Sequence, residues 1–257
     1  SNRVAIVTGG SEGMGAAIAR ELASSGAKVA IFSRDEEEMA EVVSLIEKDG
    51  GEALAVPVDV TVEDEVREGV AQVVQRWGGL HILVANAGTN GTWAPVEELT
   101  LEQWDSTLAV NLTGSFLVIH HGVPHLKEAD GGSILLVSSI NGTRTFSNSG
   151  ASAYAVSKAG QLALGQMLAL ELARWHIRVN VICPGAIDTG IHEKTEREDL
   201  DTISWPAKFP KGTIPLTAGK MGEPEQVAHL AVFLSSSAAS HITGTPVWID
   251  GGQSLLV

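Results

Sequence analysis

The sequence holds a single cysteine, Cys183, so no disulfide can form within the chain and a reducing, cytoplasmic compartment is expected. That cysteine ends the apolar run Val179-Asn180-Val181-Ile182-Cys183, which favours a buried structural thiol over a nucleophile. Basic residues are scarce: 17 Lys and Arg stand against 31 Asp and Glu, a formal net charge of −14. Such an excess of negative charge opposes nucleic acid and anionic membranes alike, so neither is expected as a partner. No apolar run approaches the length of a membrane span, and no charged-then-apolar leader is read at the start, where Ser1-Asn2 is set aside. The eight histidines include no His-Glu-x-x-His pattern. The adjacent His120-His121 would be splayed apart by a helix, so no metal site is expected and an exposed helix face or interface is read for them. Internal repeats and low-complexity tracts are absent as well.

What is present fits one large domain. At 257 residues, 44% hydrophobic and 19% charged, the chain is long enough to bury a substantial core over 1–257. Apolar runs at Val4–Val7, Lys28–Phe32, Ala53–Val58, Leu80–Ala85, Ser133–Val137, Arg178–Ile182 and Pro246–Ile249 are predicted strands. Helices are predicted over 14–25, 35–48 and 153–175, and from Pro224 to about Leu234. Thr61-Val-Glu-Asp64 resembles a capping box opening another helix, and Thr100-Leu-Glu-Gln103 caps a long one. The latter carries Leu101, Trp104, Leu108, Leu112 and Phe116 on or near one face. Nearly continuous apolar strands alternating with helices imply an α/β fold, a Rossmann-like doubly wound parallel sheet of about seven strands covered on both faces. The irregular stretch from Ala186 to about Met221 is read as a mobile substrate-binding lid.

Thr8-Gly9-Gly10-Ser11-Glu12-Gly13-Met14-Gly15 lies where the first strand meets the first helix. Glycines there permit the turn and let a pyrophosphate approach backbone N–H groups at the helix N-terminus. A dinucleotide site at Gly9, Ser11, Gly13, Met14 and Gly15 is therefore expected. An acidic residue ending the second strand would accept hydrogen bonds from ribose hydroxyls and repel a 2′-phosphate. Ser33 and Arg34 stand there instead, and the guanidinium suits a phosphate, which points to NADP in preference to NAD.

Tyr154-Ala-Val-Ser-Lys158 joins a phenol and an ammonium at i and i+4, on one helix face. A free tyrosine titrates near ~10, and bringing it to neutrality requires roughly 4 kcal/mol of preference for the phenolate. The lysine together with a cationic nicotinamide would supply it. Upstream, Ser138-Ser139 closes the fifth strand at the sheet's carboxyl edge, and alternation lets only one of the two hydroxyls face a ligand there.

Taken in order, these segments resemble the classical short-chain dehydrogenases/reductases over essentially the whole chain. The resemblance rests on the Thr-Gly-x-x-x-Gly-x-Gly turn, Asp59-Val60, Asn86-Ala87-Gly88, Asn111, Ser138-Ser139, Tyr154-x-x-x-Lys158, Pro184-Gly185 with Thr189, and Asp250-Gly251-Gly252. It implies hydride transfer at a carbonyl or secondary alcohol, with Ser139 binding the substrate oxygen and Tyr154 as acid/base. Lys158 would lower the tyrosine pKa and hold the nicotinamide ribose, and Asn111 would complete a proton relay through water. Asp59, Val60, Asn86, Ala87, Gly88, Pro184, Gly185, Ile187 and Thr189 would line the cofactor. The long Ser139-to-Tyr154 gap implies an enlarged loop over 143–152, and Glu12, where NADP-dependent relatives often carry a basic residue, argues against NADP. The family also implies a homotetramer or homodimer pairing through the 101–124 and 153–175 helices. A ketone, sugar or polyol substrate is expected. The alternatives are a 3-oxoacyl-carrier-protein reductase, disfavoured by the acidic chain with Asp130 and Trp175 where basic residues would serve, and a non-catalytic dinucleotide sensor. Ile191, His192, Trp205, Phe209, Trp93 and Phe146 are candidates for the pocket wall.

Overall fold

Alternation within the apolar runs decides the layers. In the computed structural model, which describes residues 3–191, 195–204 and 213–256, Val4 and Ile6 enter one hydrophobic cluster and Ala5 and Val7 the other. Ala30 and Phe32 likewise part from Val29 and Ile31, and Ile134 and Leu136 from Leu135 and Val137. Each strand thus feeds two cores, one on each face of the sheet.

The strands are β1 (Val4–Thr8), β2 (Lys28–Ser33), β3 (Glu52–Pro57), β4 (Ile82–Ala85), β5 (Thr92–Trp93), β6 (Gly132–Val137), β7 (Ile177–Pro184), β8 (Glu196–Arg197) and β9 (Pro246–Ile249). Seven of them form one sheet in the order β3-β2-β1-β4-β6-β7-β9, with every pairing parallel. Strand order reverses between β1 and β4, where ligands bind in doubly wound sheets. Helices α1 (Gly13–Ser24), α2 (Glu36–Lys48) and α7 (Pro224–Ser235) cover one face through Ile18, Leu22, Met39, Ile46, Val227 and Leu234. The other face takes α3 (Glu63–Trp77), α4 (Leu101–Leu108), α5 (Gly114–Glu128) and α6 (Ser152–Leu172), through Val66, Val70, Val118, Leu126, Ala169 and Leu172.

Three sequence expectations are corrected. No capping box forms at Thr61–Asp64: the Asp59 carboxylate accepts both the Thr61 N–H and its hydroxyl, so α3 starts at Glu63 behind an uncapping Val62. The long helix after Thr100 is capped as expected but is interrupted by a π turn over Ala109–Thr113. Its expected apolar face does not pack on the sheet, since Leu101 and Phe116 are exposed while Thr107, Asn111, Ser115 and Val118 turn inward. Within 186–221, β8 pairs with β5, and Ile187 bridges to Gly222. The lid reading otherwise falls partly on 192–194 and 205–212, outside the described residues.

Leu136 lies fully buried on β6, between β4 and β7. Leu136→Ala is expected to cost about 2–5 kcal/mol of unfolding free energy, read as a lowered midpoint in urea at unchanged slope.

Candidate active site

The β1–α1 turn is shaped by two close approaches. Gly9 has φ 60, and a side chain on it would press against the Ala87 backbone; at Gly15 a Cβ would collide with the Gly9 carbonyl and the Asn86 amide. Asn86 holds this turn: its Nδ2 donates to the Thr8 and Gly9 carbonyls at 3.0 and 3.1 Å. The N–H groups of Asn86 and Ala87 both donate to Thr8 Oγ1 at 3.0 Å. Asn86 was expected to touch cofactor; it lines the cleft, but its amide serves the turn.

Three cavities with shared walls form one groove along the carboxyl edge of the sheet. The first, of about 130 Å³, is lined by Gly9, Ser33, Arg34, Asp59, Val60, Ala87 and Gly88. The second, of about 180 Å³, passes Ser11, Gly13, Met14, Gly15, Asn86 and Thr189. The third, of about 260 Å³, reaches Ser139, Tyr154, Pro184, Gly185 and Ile187. Every residue expected to line a dinucleotide lies on this groove except Lys158, buried beside Gly88. An elongated groove floored by glycines at a helix N-terminus fits a dinucleotide. At its outer end Arg34 is 77% exposed, with Nη1 3.7 Å from Asp59 Oδ2. Partial burial works to raise the Asp59 carboxyl, but the hydrogen bonds from Thr61 and the Arg34 charge outweigh it and hold it below its usual value.

At the inner end the two serines part as alternation requires. Ser138 Oγ donates to the Lys158 carbonyl at 2.7 Å, behind the strand. Ser139 Oγ accepts the Asn141 N–H at 3.1 Å and shares the cavity lining with Tyr154, whose pKa it lowers. The enlarged loop is held on the sheet edge, with Thr143 Oγ1 donating to the Ser139 carbonyl and accepting Trp248 Nε1, while Arg144 stacks 3.6 Å from the Trp248 ring centre.

Lys158 is buried, and its ammonium donates to the Val137 carbonyl at 2.9 Å and to Gln161 Oε1 at 3.1 Å. Burial pushes its pKa down to about 8, so it remains cationic at neutral pH. The Nζ lies 5.6 Å from the Tyr154 ring centre. Burial nevertheless raises the Tyr154 pKa, against a smaller lowering by Ser139. The lysine alone does not offset desolvation, and the sequence expectation of a lowered phenol therefore depends on the further charge of a bound cofactor.

Asn111 is fully buried in the π turn. Its Nδ2 donates to Thr89 O and Ser157 Oγ, both at 2.9 Å, and its Oδ1 accepts the Thr89 N–H. Its carbonyl accepts from Ser115 Oγ at 2.7 Å and Gln161 Nε2 at 2.9 Å. The link from Asn111 to Lys158 thus runs through the Gln161 amide. Sequence reasoning missed Gln161 and Ser115. Their signal is a polar residue on an inward helical stripe, for Gln161 shares its face with Ala153, Ser157, Gly165 and Ala169.

Of the expected pocket walls, Trp93 and Ile191 line the third cavity, and Phe146 lines a neighbouring apolar cavity of about 420 Å³. The two cavities share Asn141 and Asn148, which are joined by a 2.8 Å hydrogen bond. His192, Trp205 and Phe209 lie outside the described residues. Cys183 is fully buried, its thiol pushed up to about 11, in keeping with a structural role. His120 and His121 are not splayed apart: their rings meet edge to face at 4.8 Å, and His121 Nε2 lies 3.4 Å from Glu63 Oε1, away from the groove lining.

Tyr154 is the chain's single tyrosine, so phenolate absorbance reports it alone. Without dinucleotide, the titration is expected above the free-tyrosine value of about 10. Ser139→Ala should move it higher still, because the Ser139 hydroxyl is the group that lowers it. A midpoint unmoved by Ser139→Ala would show that the two groups do not meet.

A family model described as enoyl-(acyl carrier protein) reductase matches residues 9–254. The chain is 36% identical over 255 residues to dehydrogenase/reductase SDR family member 4 of Sus scrofa, covering 98% of this chain and 88% of that protein. It is 36% identical to 2,5-dichloro-2,5-cyclohexadiene-1,4-diol dehydrogenase LinX of Sphingobium indicum, covering 99% of this chain and 97% of that protein. A solved structure titled a 3-ketoacyl-ACP reductase from Sinorhizobium meliloti 1021 superposes with a TM-score of 0.93 at 47% identity, covering 99% of this chain and all of that one. A seven-stranded parallel sheet, a glycine turn at its crossover and full-length similarity to dehydrogenases and reductases lead to one conclusion: the chain belongs to the classical short-chain dehydrogenase/reductase family and is an oxidoreductase acting on CH–OH or C=O groups.

Proposed function

We propose that this chain interconverts a carbonyl and a secondary alcohol on a ketone, sugar or polyol substrate, with NADP(H) as partner in the cytoplasm. The observation that carries the reading is the convergence of Ser139, Tyr154 and the buried Lys158 ammonium at the inner end of a groove sized for a dinucleotide. A dinucleotide held by Gly9, Ser11, Gly13 and Gly15 would supply or accept the hydride. Ser139 hydrogen-bonds the substrate oxygen and stabilises charge developing there. Tyr154 gives its proton to that oxygen in reduction and takes it back in oxidation. Lys158 favours the phenolate through space, held in place by Val137 O and Gln161. Asn111 fixes the β4 end loop at Thr89 and, through its carbonyl, Gln161. Arg34, exposed at the outer end, is placed to meet a 2′-phosphate. A sensor without turnover would have no need to bury a lysine behind a serine–tyrosine pair.

A 3-oxoacyl-carrier-protein reductase is the second reading. Likeness to the Sinorhizobium 3-ketoacyl-ACP reductase favours it, and so does a small basic patch: Lys127 Nζ and Arg174 lie 5.1 and 4.9 Å from the Trp175 ring centre. An acidic carrier would meet two cations there in spite of Asp130.

The outward side of α4, α5 and α6 exposes Leu101, Phe116, Val156, Met167 and Leu170, Met167 at 72% and Leu170 at 81%. Such an apolar face supports a homotetramer assembled through these helices. Light scattering should return a multiple of the chain mass, and Leu170→Glu with Phe116→Glu should lower it.

Tyr154→Phe is expected to reduce turnover at least about a thousandfold while leaving dinucleotide affinity within about twofold. Nicotinamide absorbance against ketones, sugars, polyols, steroids and 3-oxoacyl thioesters reads the substrate class. Retained turnover in Tyr154→Phe would overturn the assignment, and efficient use of an acylated carrier, lost in Lys127→Glu/Arg174→Glu, would establish the second reading.

A further inference from the structure

Behind the wall of the groove, bonded to Ser11, lies a charged group that the end of β2 does not reveal. Asp35-Glu-Glu-Glu38 has the spacing of a capping box, yet only half of it forms. Asp35 Oδ1 accepts the Glu38 N–H at 2.9 Å, capping α2. The Glu38 carboxylate does not return to the Asp35 N–H, which donates to Ser33 Oγ instead. It reaches across to the glycine turn, where Glu38 Oε2 accepts the Ser11 hydroxyl at 3.0 Å. Ser11 Oγ also lies 3.0 Å from Ser33 Oγ.

The directions in this chain follow from proton count. A serine hydroxyl carries one proton and two lone pairs. Ser11 gives its proton to Glu38, so in its bond with Ser33 it accepts, and Ser33 is the donor. Both hydroxyl protons are thereby drawn towards the carboxylate, and what Ser11 and Ser33 present to the groove they line is lone pairs. Lone pairs suit a ribose diol, which has O–H groups to donate. They do not suit a 2′-phosphate, which at neutral pH is an acceptor carrying ≈ −1.5 to −2 charges, and the Glu38 charge behind them adds repulsion.

We propose that Glu38 is a specificity-determining residue that polarises Ser11 and Ser33 for an unphosphorylated adenosine ribose. It opposes Arg34, so selectivity between NAD(H) and NADP(H) is the balance of the two. This rests on the dinucleotide reading of the groove.

The test is direct binding of NADH and NADPH, followed by nicotinamide fluorescence at low ionic strength. It uses the full chain and Glu38→Ala, Glu38→Lys and, as a control for net charge, Glu37→Gln. Glu38→Ala is expected to tighten NADPH about tenfold relative to NADH, Glu38→Lys to tighten it further, and Glu37→Gln to leave the ratio within about twofold. The difference should shrink as salt is raised. An unchanged ratio in both Glu38 variants, with both dinucleotides still binding, overturns this inference and leaves the dinucleotide reading standing. Failure of the unmodified chain to bind either dinucleotide overturns both. Because Glu38→Lys replaces the acceptor by a donor of similar reach, a gain of NADPH binding there cannot come from misfolding.

Discussion

The burial of one ammonium group constrains most of what surrounds the site. A charged amine removed from water needs acceptors in place of its hydration, and Lys158 finds two, the Val137 carbonyl and the Gln161 amide oxygen. The first ties α6 to the end of β6, just before Ser138 and Ser139. The second ties α6 to the π turn, because the same Gln161 donates to the Asn111 carbonyl and to Ser115. A regular α-helix would commit the Asn111 carbonyl to the backbone four residues on. At the π turn over Ala109–Thr113 the Asn111 carbonyl accepts instead from two side chains, the Ser115 hydroxyl and the Gln161 amide. Positioning of Lys158 and distortion of the neighbouring helix are therefore one arrangement.

The rest of the groove obeys the topology. With every strand parallel, all carboxyl ends lie along one edge, and reversal of order between β1 and β4 opens a crevice there. Thr8 and Asn86 close the floor of that crevice, one on each side of the reversal, and their mutual hydrogen bonds keep the glycine turn pressed to the β4 end. Charge is distributed unevenly along the groove. The inner end holds a buried cation and a neutral phenol. The outer end holds Arg34 with Asp59 and, behind two serines, Glu38. The two ends of one cleft thus carry different charged groups, supplied by different elements.

Much of this was legible in the residues themselves. The seven apolar runs became the seven sheet strands to within a residue or two, because an interior parallel strand must be apolar on both faces. The Tyr154–Lys158 spacing and the parting of Ser138 from Ser139 follow from helical and strand periodicity, while the choice of Ser139 comes from the family resemblance; in the structure Ser138 turns behind the strand and Ser139 lines the groove. Less legible were features in which a polar side chain had two possible partners. Thr61 bonds to Asp59 instead of capping α3, and Glu38 bonds to Ser11 instead of completing its box. For Thr61 the two options are both local, Asp59 lying two residues away, whereas for Glu38 a neighbour brought from elsewhere in the chain, Ser11, selects one. The pair β5 and β8 was illegible for another reason, since two residues in each are too few to show a period.

By itself the sequence determined the fold class, the place of the glycine turn and the pairing of Tyr154 with Lys158 on one helix face, because periodicity and turn chemistry act over a few residues. Tertiary structure alone decided that the Tyr154 phenol is held up by burial and that Gln161 links Lys158 to Asn111. It also decided that a glutamate from α2 accepts the hydroxyl of Ser11 on the groove wall. Desolvation and hydrogen-bond direction depend on which distant segments meet, and those meetings exist only once the chain has folded.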